Sequence, residues 1–146
     1  MRRGQLGAIG SDFQKTLIVR KAAWLSSEAL MNNECEELDL QNHVFSSAQL
    51  NIFFKKWIGG GFHNLEYCWF RATDELSRAR LLQGIETMPY NQENCPEREI
   101  DHFPMGRHPR RCENLSDGVD IRRNDGVYAT VCVDETCLTV GVWNNL

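Results

Sequence analysis

Residues 35–70 read CEELDLQNHVFSSAQLNIFFKKWIGGGFHNLEYCWF, and one apolar spacing occurs twice within them. The second copy follows the first by about thirty residues, so that Cys35, Leu38 and Leu40 correspond to Leu65, Cys68 and Phe70. This spacing is typical of a leucine-rich strand, and each copy therefore predicts a strand. Two parallel strands need a crossover connection of a dozen or more residues, usually a helix. The segment thus predicts a β-α-β unit with a right-handed crossover.

The connecting helix is predicted from its ends and its apolar face. Ser46 and Gln49 have the spacing of a capping box, in which the serine hydroxyl and the glutamine side chain each bond an amide of the first turn. A single apolar stripe at helical spacing follows, made of Leu50, Phe53, Phe54 and Trp57. Three glycines at 59–61 end the helix. The helix is therefore expected to cover one face of a sheet.

The flanking segments predict further strands and helices. Residues 16–19 read TLIV, typical of a short strand, and Ser26 or Ser27 is expected to cap a brief helix. Thr73 is predicted to begin another helix, which ends at Gly84. Residues 124–126, Asn-Asp-Gly, are a strong hairpin signal between β-branched runs. The predicted fold class is α/β, or α+β: a leucine-rich-repeat-like β-α-β core followed by a C-terminal antiparallel β-meander.

The chain is expected to contain one structured region. Residues 1–15 are predicted to be a flexible lead-in, and residues 16–146 to be one domain with a proline-rich insertion at about 86–117. The four prolines of the chain lie in this insertion, where no period of 2 or 3.6 persists. A segment of this length without a pattern is either a functional loop or a mobile insertion.

Charge and composition exclude several classes of function. The net charge of −4 and the pI near 5.6 lack the basic footprint of proteins that bind nucleic acid or anionic membranes. No run of eighteen apolar residues exists, and the first ten residues lack the apolar core of a signal peptide. An intracellular location, cytoplasmic or nuclear, with reduced thiols is therefore predicted.

The residues that could carry chemistry do not form a recognised motif. Two thiols and two imidazoles, Cys95, His102, His108 and Cys112, could in principle hold zinc, but the short ligand pairs typical of such sites are absent. The glycines at 59–61 follow a helix, whereas phosphate-binding loops precede one. Common hydrolase signatures are also missing. The sequence therefore predicts no catalytic residue, no metal site and no cofactor.

Three arginines of the insertion are the candidate partner-binding residues. Arg107, Arg110 and Arg111 lie close together in an otherwise acidic chain. Guanidinium groups bind carboxylates and phosphates through two parallel hydrogen bonds, so an acidic or phosphorylated peptide is the predicted ligand. A solvated loop face is the plainer interpretation of the same charges.

The order and spacing of several segments resemble the type 2 F-box-associated domain of nematode F-box proteins. The similar segments are 25–32 (LSSEALMN), 37–40 (ELDL), 49–57 (QLNIFFKKW), 64–67 (NLEY), 120–126 (DIRRNDG) and 129–131 (ATV). The resemblance implies the substrate-capturing part of a ubiquitin-ligase adaptor whose separate F-box module binds Skp1. About fifteen residues precede the first predicted strand, too few for an F-box, so contact with Skp1 is not expected of this chain.

The function predicted from residues and resemblance together is non-catalytic protein recognition, with an unidentified protein substrate as partner. Two alternatives stay open. One is an enzyme that uses the loop bearing the cysteines and histidines at 95–112. The other is a truncated family member without a ligand.

Overall fold

The computed structural model describes residues 16–90 and 118–143. Within these residues lie seven strands: β1 (Thr16–Val19), β2 (Glu37–His43), β3 (Tyr67–Ala72), β4 (Met88–Pro89), β5 (Val119–Arg122), β6 (Tyr128–Asp134) and β7 (Cys137–Val142). The helices of the same residues are a 3-10 turn (Ala22–Trp24), α1 (Ser27–Met31), α2 (Ser47–Ile58) and α3 (Arg78–Leu81).

The strands of the described residues form one sheet in the order β1-β2-β3-β7-β6-β5-β4. The three strands β1 to β3 are parallel, and all other neighbours are antiparallel. A mixed α/β architecture is therefore confirmed, with β2 and β3 on either side of α2 in sequence. The likeness of this unit to a leucine-rich repeat stays a prediction. The C-terminal meander joins the parallel strands where β7 pairs with β3.

Helix α2 packs its apolar stripe into the core. Leu50, Phe53, Phe54 and Trp57 are all buried, as the helical spacing predicts. The capping box is present: the Gln49 amide donates to the Ser46 hydroxyl at 3.1 Å, and the Ser46 amide donates to Gln49 Oε1 at 2.8 Å. Beyond the helix, Gly60 adopts a φ of +102°, a conformation that costs glycine little. The end of α2 is thus determined locally.

The opposite face of the sheet buries a chain of polar groups on the meander. The Trp143 indole Nε1–H donates to the Thr130 hydroxyl at 2.8 Å, and that hydroxyl donates to Asp120 at 2.8 Å. All three residues are buried, and the Tyr90 ring stacks on Trp143 at 6.5 Å. A buried polar group is costly unless it is hydrogen-bonded. These hydrogen bonds therefore favour the register in which Asp120 of β5 lies opposite Thr130 of β6.

The helix expected from Thr73 begins later than predicted. Its N-cap is Ser77, whose hydroxyl accepts from the Arg80 amide, and the helical residues are Arg78–Leu81. The preceding residues are committed to other partners, because the Leu76 amide donates to the Glu135 carbonyl at 2.9 Å. Tertiary hydrogen bonds therefore override the local helix signal of the Thr-Asp-Glu sequence at 73–75.

Candidate recognition site

A cavity of about 400 Å³ lies at the carboxyl ends of the parallel strands β2 and β3. Its walls are the loop between β2 and α2, the first turn of α2, and the loop between β3 and α3. Ligands of open α/β sheets bind outside the carboxyl ends of the strands. Apolar side chains (Phe45, Ala72, Leu76) and polar ones (Ser47, Thr73, Arg80) both line the cavity.

Hydrogen bonds hold the two loops together. The Thr73 amide donates to the His43 carbonyl at 3.0 Å, and the Ser77 amide donates to the Ser47 hydroxyl at 2.8 Å. The β3–α3 loop is also held by the turn between β6 and β7, since the Ala72 amide donates to the Thr136 carbonyl at 2.8 Å. The cavity is therefore built on a rigid part of the molecule.

A bulge at the end of β2 changes the face of the sheet on which His43 lies, and His43 lines this cavity. Leu38 and Leu40 are buried on the core face, and strict alternation would place Asn42 there next. Asn42 instead has a φ of +58° and is exposed, and the pairing with β3 shifts between Gln41 and His43. The shift moves the next residue to the core face, so that His43 is fully buried.

The buried imidazole of His43 is neutral near pH 7. Burial lowers the pKa of His43 to about 4. The Phe45 amide donates to its Nδ1 at 3.0 Å, so the ring proton of the neutral form resides on Nε2. Within the described part of the chain, Nε2 has no hydrogen-bond partner. Among the described residues, the site therefore contains a buried hydrogen-bond donor without an acceptor.

Two exposed apolar residues lie at the same edge of the sheet. Val44 follows β2 and is 57% exposed, and Trp24 follows β1 and is 73% exposed. The loop after β1 is held to the end of β2, because the Asn42 side-chain amide donates to the Arg20 carbonyl at 2.9 Å. Parallel strands bring the loops that follow them to one edge. Val44 thus lines the cavity, and Trp24 lies in a loop at the same edge of the sheet.

The structure does not test the residues singled out in the sequence. The arginines Arg107, Arg110 and Arg111 lie outside the described residues, as do Cys95, His102, His108 and Cys112. In residues 16–90 and 118–143, no group of three or more histidine, cysteine or acidic side chains could hold a metal ion. Over the same ranges, no helix combines the length and apolar character needed to cross a membrane.

The buried cysteines on the core side are poor nucleophiles. Burial raises the pKa of Cys35 to about 11, and the pKa of the fully buried Cys68 is also raised by burial. Because the thiolate is the reactive form, both side chains act as small apolar groups of the core.

Sequence reasoning missed His43 and the cavity. The strand spacing read from Cys35, Leu38 and Leu40 does not extend to His43, which is the last residue of β2 and faces the core. The available signal was Asn42, because asparagine tolerates positive φ better than other residues with side chains. An asparagine at a strand end is therefore a hint of a bulge that changes which residue faces the core.

Two comparisons with known proteins found a match, one to a family model and one to a nematode protein. Residues 9–70 match the family model described as F-box associated, which is not a known enzyme family. A Caenorhabditis elegans protein named "Uncharacterized protein F59B2.9" is 24% identical over 119 residues, or 82% of this chain. The chain spans 27% of that relative's length. No solved structure matches the chain. The resemblance predicted from the sequence is thus confirmed over residues 9–70, which match the F-box-associated family model and contain β1, β2, α2 and most of β3.

Proposed function

We propose that this chain is a non-catalytic protein-recognition domain that captures the substrate of an F-box-type ubiquitin ligase. The observation that carries the proposal is the loop-built cavity at the carboxyl ends of β2 and β3, with the exposed Val44 in its lining and the exposed Trp24 in the loop after β1. Binding residues are concentrated on loops held by a rigid scaffold. Exposed tryptophan contributes disproportionately to protein interfaces. The family match to an F-box-associated domain supports the same class of function.

The test replaces an apolar side chain at the cavity rim with a charged one. Val44→Glu places a carboxylate on the proposed interface, whereas Ile52→Glu places one at a similarly exposed position (56%) in the middle of α2. Both tagged variants and the unsubstituted chain are used to recover partners from cell extract, with quantification by mass spectrometry. We expect a reproducible set of partners that Val44→Glu loses and Ile52→Glu retains. Equal recovery by all three proteins contradicts the proposed surface.

A photoreactive amino acid makes the same comparison without disturbing charge. Benzoylphenylalanine is introduced at Trp24 in one chain and at Ile52 in another, and both are irradiated with the recovered partners. Crosslinks are expected from the position of Trp24 and not from that of Ile52. The reverse pattern places the partner on the outer face of α2 and contradicts the proposal.

The arginines Arg107, Arg110 and Arg111 remain proposed partner-binding residues. Their simultaneous replacement by serine is expected to reduce recovery of an acidic or phosphorylated partner, since serine cannot supply the paired donors of a guanidinium. If the triple variant recovers every partner in full while Val44→Glu does not, recognition depends on the cavity edge alone. Recovery of a Skp1-like or cullin-like subunit with the tagged chain would connect it to a ubiquitin ligase.

A further inference from the structure

We propose that the cavity binds the carboxyl terminus of a partner protein, with the terminal carboxylate at the first turn of α2 and an apolar terminal side chain against Phe45, Ala72 and Leu76. The inference deepens the proposed function and rests on it, because it names the kind of peptide that the recognition surface would accept. Two independent observations at the cavity point to a ligand that accepts hydrogen bonds.

The first observation is the set of amides at the start of α2. The capping box occupies the amides of Ser46 and Gln49. The next amides, those of Ser47 and Ala48, have no acceptor within the described residues, and both residues line the cavity. The first-turn amides of a twelve-residue helix carry the positive end of its dipole, which stabilises an anion placed there.

The second observation is His43, which is fully buried on the wall of the same cavity. Its Nδ1 accepts from the Phe45 amide, so Nε2–H is a donor, and it has no partner in the described part of the chain. Buried donors are almost always paired in folded proteins, and an unpaired one needs a specific explanation. A ligand oxygen within hydrogen-bond distance of this donor would supply the missing acceptor.

The charged side chains of the lining select the kind of anion. Asp74, Glu75 and Arg80 all line the cavity and are all exposed. Two carboxylates against one guanidinium disfavour a dianionic phosphate, because like charges repel. A peptide end that carries one negative charge, with a basic residue just before it, is repelled less by these two carboxylates. The arginines at 107–111 would suit phosphate, so the two predicted surfaces have different ligands.

The apolar part of the lining favours a chain end over an internal acidic residue. A terminal residue brings its carboxylate and its own side chain together, and the cavity offers donors beside buried apolar groups. An internal aspartate brings the carboxylate without an apolar group. Capture of a terminal carboxylate by backbone amides is also a recurring mode of peptide recognition.

The experiment is an NMR titration of the full chain with short peptides. The probes are acetyl-Gly-Gly-Lys-X, where X is Leu, Val or Phe, each as the free acid and as the C-terminal amide. An acetylated peptide with an internal aspartate and an amidated end, and a matching phosphoserine peptide, complete the set. We expect saturable shifts of the Ser47 and Ala48 amides and of the His43 ring nitrogens with at least one free acid, and at least tenfold weaker binding of its amide.

Two substitutions at one position isolate the backbone donor. Proline is favoured at the first helical position, and Ser46 before it is already extended at ψ 163°, so Ser47→Pro is compatible with the helix start. Ser47→Ala removes the hydroxyl as well but keeps the amide. We expect Ser47→Pro to bind the free acid at least fivefold more weakly than Ser47→Ala.

The outcomes separate this inference from the proposed function. Equal binding of acid and amide by the unsubstituted chain, tighter binding of the internal aspartate or phosphoserine peptide, or no shift at 43, 47 and 48 overturns the carboxyl-terminus inference. If protein partners are nevertheless lost by Val44→Glu and kept by Ile52→Glu, the recognition surface stands and only its ligand class was wrong. If Val44→Glu keeps every partner, the proposed surface itself fails.

Discussion

The guanidinium carbon of Arg123 lies 5.4 Å from the centre of the Trp57 indole ring, and this contact joins the end of α2 to the turn between β5 and β6. The Asn124 amide donates to the Ile58 carbonyl at 2.9 Å beside it, and Arg123 also pairs with Asp125 at 2.9 Å. Trp57 is only 2% exposed, so the arginine covers an otherwise apolar ring. The parallel half of the sheet and the meander are thus connected through α2 as well as through β3 and β7.

The truncation Trp57→Ala is expected to destabilise the protein by about 3–5 kcal/mol, because it leaves a large cavity between α2 and the sheet. Chemical denaturation monitored by far-UV circular dichroism measures the change. The matched control is Ile52→Ala on the same helix, whose side chain is 56% exposed. That control should change stability by no more than about 0.5 kcal/mol. A similar small effect of Trp57→Ala would mean that the stripe of α2 is not packed.

The pairing of Arg123 with Trp57 is tested by a double-mutant cycle with Arg123→Met and Trp57→Phe. A cation over an aromatic ring contributes about 0.5–2 kcal/mol, and phenylalanine retains less of that attraction than tryptophan. We therefore expect the two substitutions to be non-additive by roughly 0.5 kcal/mol or more in denaturation experiments. Additive effects would show that the arginine stem packs on the ring without an electrostatic contribution.

The stability of the protein is expected to fall as the pH is lowered from 6.5 to 4, because of His43. Burial lowers the pKa of His43 from 6.5 to about 4 in the folded state. Between these values the unfolded chain takes up a proton that the folded chain does not, so unfolding becomes more favourable as the pH falls. Above pH 6.5 the imidazole is neutral in both states and has no effect. The loss at pH 4 should reach about 3 kcal/mol at most.

The His43→Phe variant provides the control for this pH dependence. Denaturation midpoints of both proteins are measured at several values between pH 4 and pH 8, and the difference between them is compared. Glu66, whose pKa is raised by partial burial and by Glu36 and Glu37, acts with the opposite sign in both proteins and therefore cancels. Parallel pH profiles would mean that His43 is not held neutral in the folded state.

The capping box of α2 is expected to contribute measurably to stability. Ser46→Ala removes the hydroxyl that accepts from the Gln49 amide and should cost about 0.5–2 kcal/mol. Ser46→Gly should cost only a few tenths of a kcal/mol, because glycine is itself a good N-cap residue. Thermal melts of the two variants measure the order. An equal or larger loss for glycine would argue that the serine acts through tertiary contacts rather than as a cap.

Several features of this fold follow from short-range sequence signals. Ser46 and Gln49 are three residues apart and form the capping box by themselves, and the stripe from Leu50 to Trp57 has one apolar face in any helix. The Asn-Asp-Gly turn at 124–126 forms where it was predicted, with Gly126 at a φ of +97°. Each of these depends on residues within one or two turns of the chain, and the backbone preferences of those residues suffice.

Other features depend on groups that are distant in sequence. Thr73 does not begin α3, because the residues after it bond to the β6–β7 turn about sixty residues away. His43 faces the core only because the register between β2 and β3 shifts at Asn42, and it lines the cavity together with Ser47 and Ala48 only once both loops are in place. The arginines at 107–111 could be selected from their charge alone. The cavity at the carboxyl ends of β2 and β3 could not be predicted in this way. It is formed by packing two loops, and tertiary hydrogen bonds determine the relative position of these loops.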